Sequence, residues 1–272
     1  PHTVNISRWS ASRPQCRHRL GAHTAPCTPR TGSVSDVLGL PEQISVALFD
    51  LDGVLTSTAV LHRVAWKAAF DDFLRARDGD DFVPFTDQDY LDYVDGRPRE
   101  DGVRAFLSSR GIDDVDDATV EKIGSGKNAM FLATLESDGV NPYPGSVRYL
   151  QAAQDAGLRI AVVTSSKNGE AVLDAADLAK FVEVRVDGQE TAARGLRGKP
   201  APDSFLLGAE LMGVQPSAAA VFEDAISGVQ AGVAGHFGYV VGIDRVGGNQ
   251  AQAMRTAGAD VVVNDLDEMI PA

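Results

Sequence analysis

FDLDGVLTST, residues 49–58, is the stretch on which the fold turns. It grows out of the apolar run VALF (46–49), which is short enough and apolar enough for a strand buried on both faces. Two carboxylates, Asp50 and Asp52, therefore leave the carboxyl end of a strand, and Gly53 lets the chain turn away. One Asp at such a place is an ordinary turn or helix cap. A pair flanking an apolar leucine behind a buried strand points instead to chemistry at the edge of a sheet.

Downstream, the apolar runs IAVVT (160–164), AAVF (219–222), YVVGI (239–243) and DVVV (260–263) have the same character. Helical stretches fall at 145–157, 168–179, 202–213, 225–235 and 248–257. This alternation predicts a doubly wound, Rossmann-like parallel α/β sheet with its active groups at the carboxyl ends of the strands. The interval from 58 to 138 is too long for one crossover and reads as several helices. The expected organisation is an α/β core from 36–58 and 139–272, with a helical cap domain inserted at 59–138. The first cap helix is expected to start at a Ser57/Thr58 cap and to bury Leu61, Val64, Ala68 and Phe73. The linkers would be Thr56–Ala59 and Val140–Pro144.

Three further strand ends carry polar groups. Thr164-Ser165-Ser166 offers a hydroxyl before a helix start, which suits an anion or a plain N-cap equally. Lys199, in GKPAPDSF, sits before a helix in an extended dipeptide, from which its ammonium can reach a phosphate. Glu223-Asp224 ends AAVF and adds two acids to the same edge. Carboxylates gathered there repel one another unless a cation offsets them. Oxygen-only ligation suits Mg²⁺, whereas Zn²⁺ would want His or Cys, and the body of the chain has only His62 and His236.

Taken in order, the DxDGV motif, the hydroxyl, the Lys and the ED pair resemble the haloacid dehalogenase-like superfamily, from about Val46 to Asp265. The segments FDLDGVLTSTAVLHRVAWKAAF, GRPRED, TSSKNG, GKPAPD and FEDAISGVQAG are most similar to its β-phosphoglucomutase subgroup. The resemblance implies catalytic roles for Asp50 as nucleophile, Asp52 as general acid/base, and Thr164, Lys199 and His62 around them. It implies Mg²⁺ bound by Asp50, Glu223, Asp224 and the Asp52 carbonyl. Substrate contacts would come from Thr58, Gly96, Arg99, Lys127, Asn128, Ser165, Lys167 and Asn168. The implied reaction interconverts β-glucose 1-phosphate and glucose 6-phosphate through a glucose 1,6-bisphosphate intermediate. A sugar-phosphate phosphatase on the same scaffold is the alternative enzyme, and an inactive binding protein is the alternative class. Two positions depart from the subgroup's pattern: Ser57 stands where it has an acid, and Asp95 stands where it has Lys.

The composition, at 44% apolar and 23% charged, excludes a disordered polymer. No apolar run approaches the length of a membrane span. The net charge of −13 argues against nucleic acid as a partner. Residues 1–35 hold five Arg, both Cys and no acid, and are expected to be a disordered tail or an extension foreign to the native protein. The rest then carries 20 cations against 38 acids, and 16 of those acids lie in residues 71–121. These cap acids are expected to face outward, with Arg99 and Lys127 turned into the cleft. A cytoplasmic monomer acting on a phosphorylated sugar, with no membrane partner, completes the expectation.

Overall fold

In the computed structural model, which describes residues 37–271, strand β1 (Val46–Phe49) is wholly buried, as its uninterrupted apolar run requires. The extension expected at 1–35 lies outside the described residues. Next come α1 (Thr58–Asp78), one turn of π-helix at Tyr90–Val94, α2 (Arg99–Ser109) and α3 (Asp117–Asp138). The chain then winds through α4 (Pro144–Asp155), β2 (Arg159–Val163), α5 (Gly169–Ala175), β3 (Val184–Val186), α6 (Gly188–Ala193) and α7 (Asp203–Leu211). It ends with β4 (Ala219–Glu223), α8 (Ile226–Ala234), β5 (Tyr239–Ile243), α9 (Gln250–Ala257) and β6 (Val261–Val263).

The six strands are parallel in the order β3-β2-β1-β4-β5-β6. Val46 pairs with Arg159 on one side and Ala219 on the other, so β1 lies at the reversal of strand order. Ligand crevices of open α/β sheets form there, outside the carboxyl ends. The alternating faces of β1 feed two cores: Val46 and Leu48 pack with Val163, Phe205 and Val221, while Ala47 and Phe49 pack with Tyr149, Leu150 and Phe222. Phe49 stacks on Phe222 at 4.3 Å between ring centroids, directly beneath the acidic strand ends.

The helices between β1 and α4 have an apolar core of their own, with Trp66, Phe70, Leu74, Phe85 and Phe106 at its centre. Phe70 lies 4.4 Å from Phe106 and 5.0 Å from Phe85. The two chain crossings into this region pair with each other: Ser57 N–H donates to the Asn141 carbonyl, and Tyr143 N–H donates to the Leu55 carbonyl, both at 3.0 Å.

Four details differ from the sequence expectation. Strand β3 and helix α6 were not anticipated, because Val-Arg-Val is a short edge strand with half-buried faces and no continuous apolar signal. Helix α1 does start at Thr58, but Ser57 makes no side-chain cap and donates to the Asn141 carbonyl instead. The buried stripe of α1 runs through His62, Ala65, Trp66, Ala69, Phe70 and Leu74, while Val64 is 63% exposed. Packing against α3, with its buried Lys127 and Phe131, set that register rather than the apolar residues alone.

Phe70→Ala removes the ring at the centre of the helical core. It should cost about 3–5 kcal/mol of stability, read as a fall in the urea midpoint with unchanged slope.

Candidate active site

Asp50 is the first residue past β1, and its N–H donates to the Phe222 carbonyl at 2.9 Å, which ties the ends of β1 and β4 together. Its carboxylate accepts from Lys199 Nζ at 2.6 Å. The same ammonium lies 2.6 Å from Glu223 Oε1 and donates to the Val163 carbonyl at 3.2 Å. Lys199 thus joins β1, β2 and β4 with a side chain that water does not reach. Burial works against its charge, but the carboxylates of Asp50 and Glu223 outweigh that and hold the ammonium protonated.

Burial pushes the Asp50 carboxyl well up; Lys199 opposes this, while Glu223 and Asp52 add to it. Burial likewise pushes Asp224 up, helped by Asp95, Asp50, Glu223 and Asp52. Among the described residues no hydrogen bond or ion pair engages the Asp224 carboxylate. Asp50, Glu223 and Asp224 each offer an oxygen, all within 4.8 Å of one another. An oxygen-only set with more negative charge than its one ammonium can balance fits a hard divalent cation. Gly53 makes this approach possible: it has φ 88°, and a Cβ there would lie 1.7 Å from Asp224 Oδ2.

Asp52, two residues on, is held differently. Its Oδ1 accepts from Thr58 Oγ1 at 2.5 Å and lies 3.2 Å from His62 Nε2, and its Oδ2 accepts from Thr164 Oγ1 at 3.3 Å. Burial opposes its charge, but His62, Thr58 and Lys127 bring its carboxyl down to about 2. His62 stacks on Phe131 at 4.1 Å and meets Lys127 Nζ through Nδ1. Burial and the Lys127 charge lower the His62 pKa. Burial, with Arg99 nearby, takes Lys127 down to about 7. A line Asp52–His62–Lys127 therefore runs from the core loop into the cap, walled by Trp66 and Phe131.

Across the cleft, Asn128 Oδ1 accepts from Arg99 and from Asn168 Nδ2, both at 2.8 Å. Ser165 Oγ donates to the Gly96 carbonyl at 2.7 Å, and Lys167 Nζ donates to Glu100 at 2.7 Å. One cleft is lined by Asp50, Asp52, His62, Gly96, Arg99, Lys127, Thr164, Ser165, Lys167, Asn168 and Asp224. Lys199, Glu223, Thr58 and Asn128 stand behind that lining, each in contact with a residue of it or of the metal-binding group.

Tyr90 and Asp95 also line the cleft, and the sequence reading assigned neither a role. The outward placement expected for the cap acids is corrected at two positions. Asp95 faces the cleft, and Glu100 closes the seam against Lys167. Burial pushes the Asp95 carboxyl up to about 7; Tyr90 opposes this and Glu223 and Asp52 reinforce it. The π-helical turn that aims Asp95 inward has no periodic signature, and only its place just before Gly96 could have flagged it.

With this geometry in hand, comparison with known proteins is specific. A family model described as haloacid dehalogenase-like hydrolase matches residues 44–236. A Mycobacterium bovis protein named β-phosphoglucomutase is 54% identical over 87% of this chain and 95% of its own length. A Streptomyces hygroscopicus validoxylamine A 7'-phosphate phosphatase is 30% identical over 82% of this chain and 95% of its own. A crystal structure of β-phosphoglucomutase from Clostridium difficile superposes with TM-score 0.69 at 21% identity, covering 83% of this chain and 92% of that one, and shows the shared fold. The chain belongs to the haloacid dehalogenase-like hydrolase family.

Proposed function

We propose that the chain is a Mg²⁺-dependent phosphotransferase that interconverts β-glucose 1-phosphate and glucose 6-phosphate. The observation that carries this reading is the second cationic end of the cleft. Arg99 and Lys127 face the same space as Asp50, so a sugar with a phosphate at each end has a counter-charge for both. The 54% identity to a protein named β-phosphoglucomutase supports it.

In this reading Asp50 Oδ attacks phosphorus in line, and the phosphorus–oxygen bond to the sugar breaks as an aspartyl-phosphate forms. Asp52 carries the proton. As carboxylate it takes the proton from the accepting hydroxyl, and as acid it returns one to the departing sugar oxygen. Its lowered pKa keeps it ionised and so able to accept a proton, and Thr58, Thr164 and His62 orient it. Lys199 and Thr164 offset charge on the transferring group, and Ser165 holds the Gly96 loop over it. Lys127, Asn128, Asn168 and Arg99 hold the distal phosphate, with Lys167 closing the seam. Mg²⁺, held by Asp50, Glu223, Asp224 and the Asp52 carbonyl, would neutralise phosphoryl and carboxylate charge. The bisphosphate, glucose 1,6-bisphosphate, turns end for end in the cleft between the two transfers. Exclusion of water by the cap separates this outcome from hydrolysis.

The domain assignment belongs to the same proposal: a core from 36–58 and 139–272 and a mobile cap from 59–138. Its separate apolar cluster and paired linkers support it. No helix among the described residues is long and apolar enough to cross a membrane. The reading assigns the enzyme to the cytoplasm as a monomer, acting on a phosphorylated sugar rather than nucleic acid.

Supplied with β-glucose 1-phosphate, a trace of bisphosphate and Mg²⁺, the enzyme should produce glucose 6-phosphate with little free phosphate. Phosphate release without glucose 6-phosphate would establish the phosphatase instead. Asp50→Asn should lower turnover by at least a thousandfold while thermal melting stays close to that of the parent. Mg²⁺ should raise the melting temperature of the parent by several degrees and leave Asp224→Asn unmoved. EDTA should abolish turnover.

A further inference from the structure

The loop at Asp95 and Gly96 is pinned to the core at two successive carbonyls. Ser227 Oγ donates to the Asp95 carbonyl at 2.9 Å, and Ser165 Oγ donates to the Gly96 carbonyl at 2.7 Å. Gly96 has φ 71°, and a Cβ there would come within 2.4 Å of Ser227 Oγ. Loop and core thus meet with no room for a side chain at that position, and the two bonds set where Asp95 lies when cap and core are together.

The Asp95 side chain is consequently committed to the cleft, which it lines together with Tyr90. Tyr90 is buried, and its carbonyl accepts from the Asp95 N–H at 2.9 Å, which closes the turn that presents Asp95. The Asp95 backbone rests on Ser227, and that of Gly96 on Ala225, the residue after Asp224, so Asp95 enters the cleft at the side of the Glu223-Asp224 strand end. Nothing in the reaction described above uses it. A carboxylate beside a transferring phosphoryl group repels it, unless the substrate places a hydrogen-bond donor between the two. Ring hydroxyls close to the reacting sugar oxygen are such donors, and a site built to accept from one discriminates strongly against an analogue without it.

We propose that Asp95 is a specificity-determining residue whose carboxylate accepts a hydrogen bond from the ring hydroxyl nearest the reacting oxygen. That hydroxyl is the 2-hydroxyl when the phosphate sits on O1 and the 4-hydroxyl when it sits on O6. In a glucopyranose both are equatorial, so one acceptor serves both orientations of the bisphosphate. The inference rests on the sugar-phosphate reading and goes beyond it by naming the substrate feature that is selected. Substrates that lack a hydroxyl at this position, or turn it axial, are disfavoured.

The test is a cycle of two enzymes and two substrates, reading kcat/KM with Mg²⁺ and a trace of bisphosphate. The parent should lose about ten- to a hundredfold on going from β-glucose 1-phosphate to its 2-deoxy analogue. Asp95→Ala should lose a similar factor on β-glucose 1-phosphate, and less than about threefold on the 2-deoxy analogue. Asp95→Asn keeps an acceptor oxygen and the side-chain shape, so it should show a smaller loss with the same dependence on the 2-hydroxyl. That variant decides the matter should the alanine variant fail to fold. Equal losses on both substrates, or no loss on either, would overturn the proposal while leaving the mutase reading intact. A parent that turns over neither substrate would overturn the mutase reading and this inference with it.

Discussion

Lys199 lies with its ammonium 2.6 Å from Asp50 and 2.6 Å from Glu223, sealed from water beneath the cleft, and the geometry above it depends on that charge. Carboxylates at the ends of neighbouring parallel strands are driven together by strand pairing and apart by their charge. One buried ammonium offsets part of that repulsion and, through the Val163 carbonyl, ties in the third strand end. Removing Lys199 would leave the Asp50 and Glu223 carboxylates buried without a counter-charge, at about 3–5 kcal/mol, whereas neutralising Asp50 leaves the ammonium paired with Glu223. The excess that Lys199 leaves, concentrated on Asp224, is what makes the site receptive to a divalent cation.

The second layer of organisation separates stiffness from adaptability. The sheet packs apolar cores on both faces, and Phe49 stacked on Phe222 fixes the floor under Asp50. The helical insertion has a core of its own; it meets the sheet through apolar residues at its base, Ala65 and Phe131, and through polar contacts across the cleft, such as Ser165 to Gly96, Ser227 to Asp95 and Lys167 to Glu100. The polar contacts across the cleft exchange with water at small net cost, whereas the apolar base does not. Asp52 bridges the two bodies: its backbone belongs to the core loop, while its carboxylate is oriented by Thr58 and His62 of α1. Arg245 steadies the loop from the core side, donating to the Gly53 carbonyl and stacking over Tyr143 of the return linker.

What could be read in advance followed from local signals strong enough to survive folding. The runs at 46–49, 160–164, 219–222 and 239–243 are buried on both faces, so their apolar character is uninterrupted and their strand ends are evident. The polar residues at those ends, Asp50, Thr164 and Glu223 among them, come together because parallel strands share a carboxyl edge. Strand β3 escaped notice because an edge strand of three residues has no such run. The buried stripe of α1 was misjudged because its two valines, Val60 and Val64, share one face of the helix, and that face is exposed. In this helix the buried face includes His62, whose burial is repaid by Asp52 and Lys127 rather than by apolar contact.

The sequence by itself determined the parallel α/β core, the insertion after β1 and the acid, hydroxyl and lysine groups at the strand ends. Periodicity and turn chemistry are local properties that a chain carries whatever its partners. Only the tertiary structure decided which cap acid enters the cleft and how Asp52 is held. Asp95 and Glu100 lie among acids of similar composition; the inward placement of Asp95 comes from a π-helical turn and from contact with Ser227, and the seat of Glu100 at the seam from Lys167. Those partners lie more than sixty residues away, so the meeting exists only once the cap has packed against the sheet.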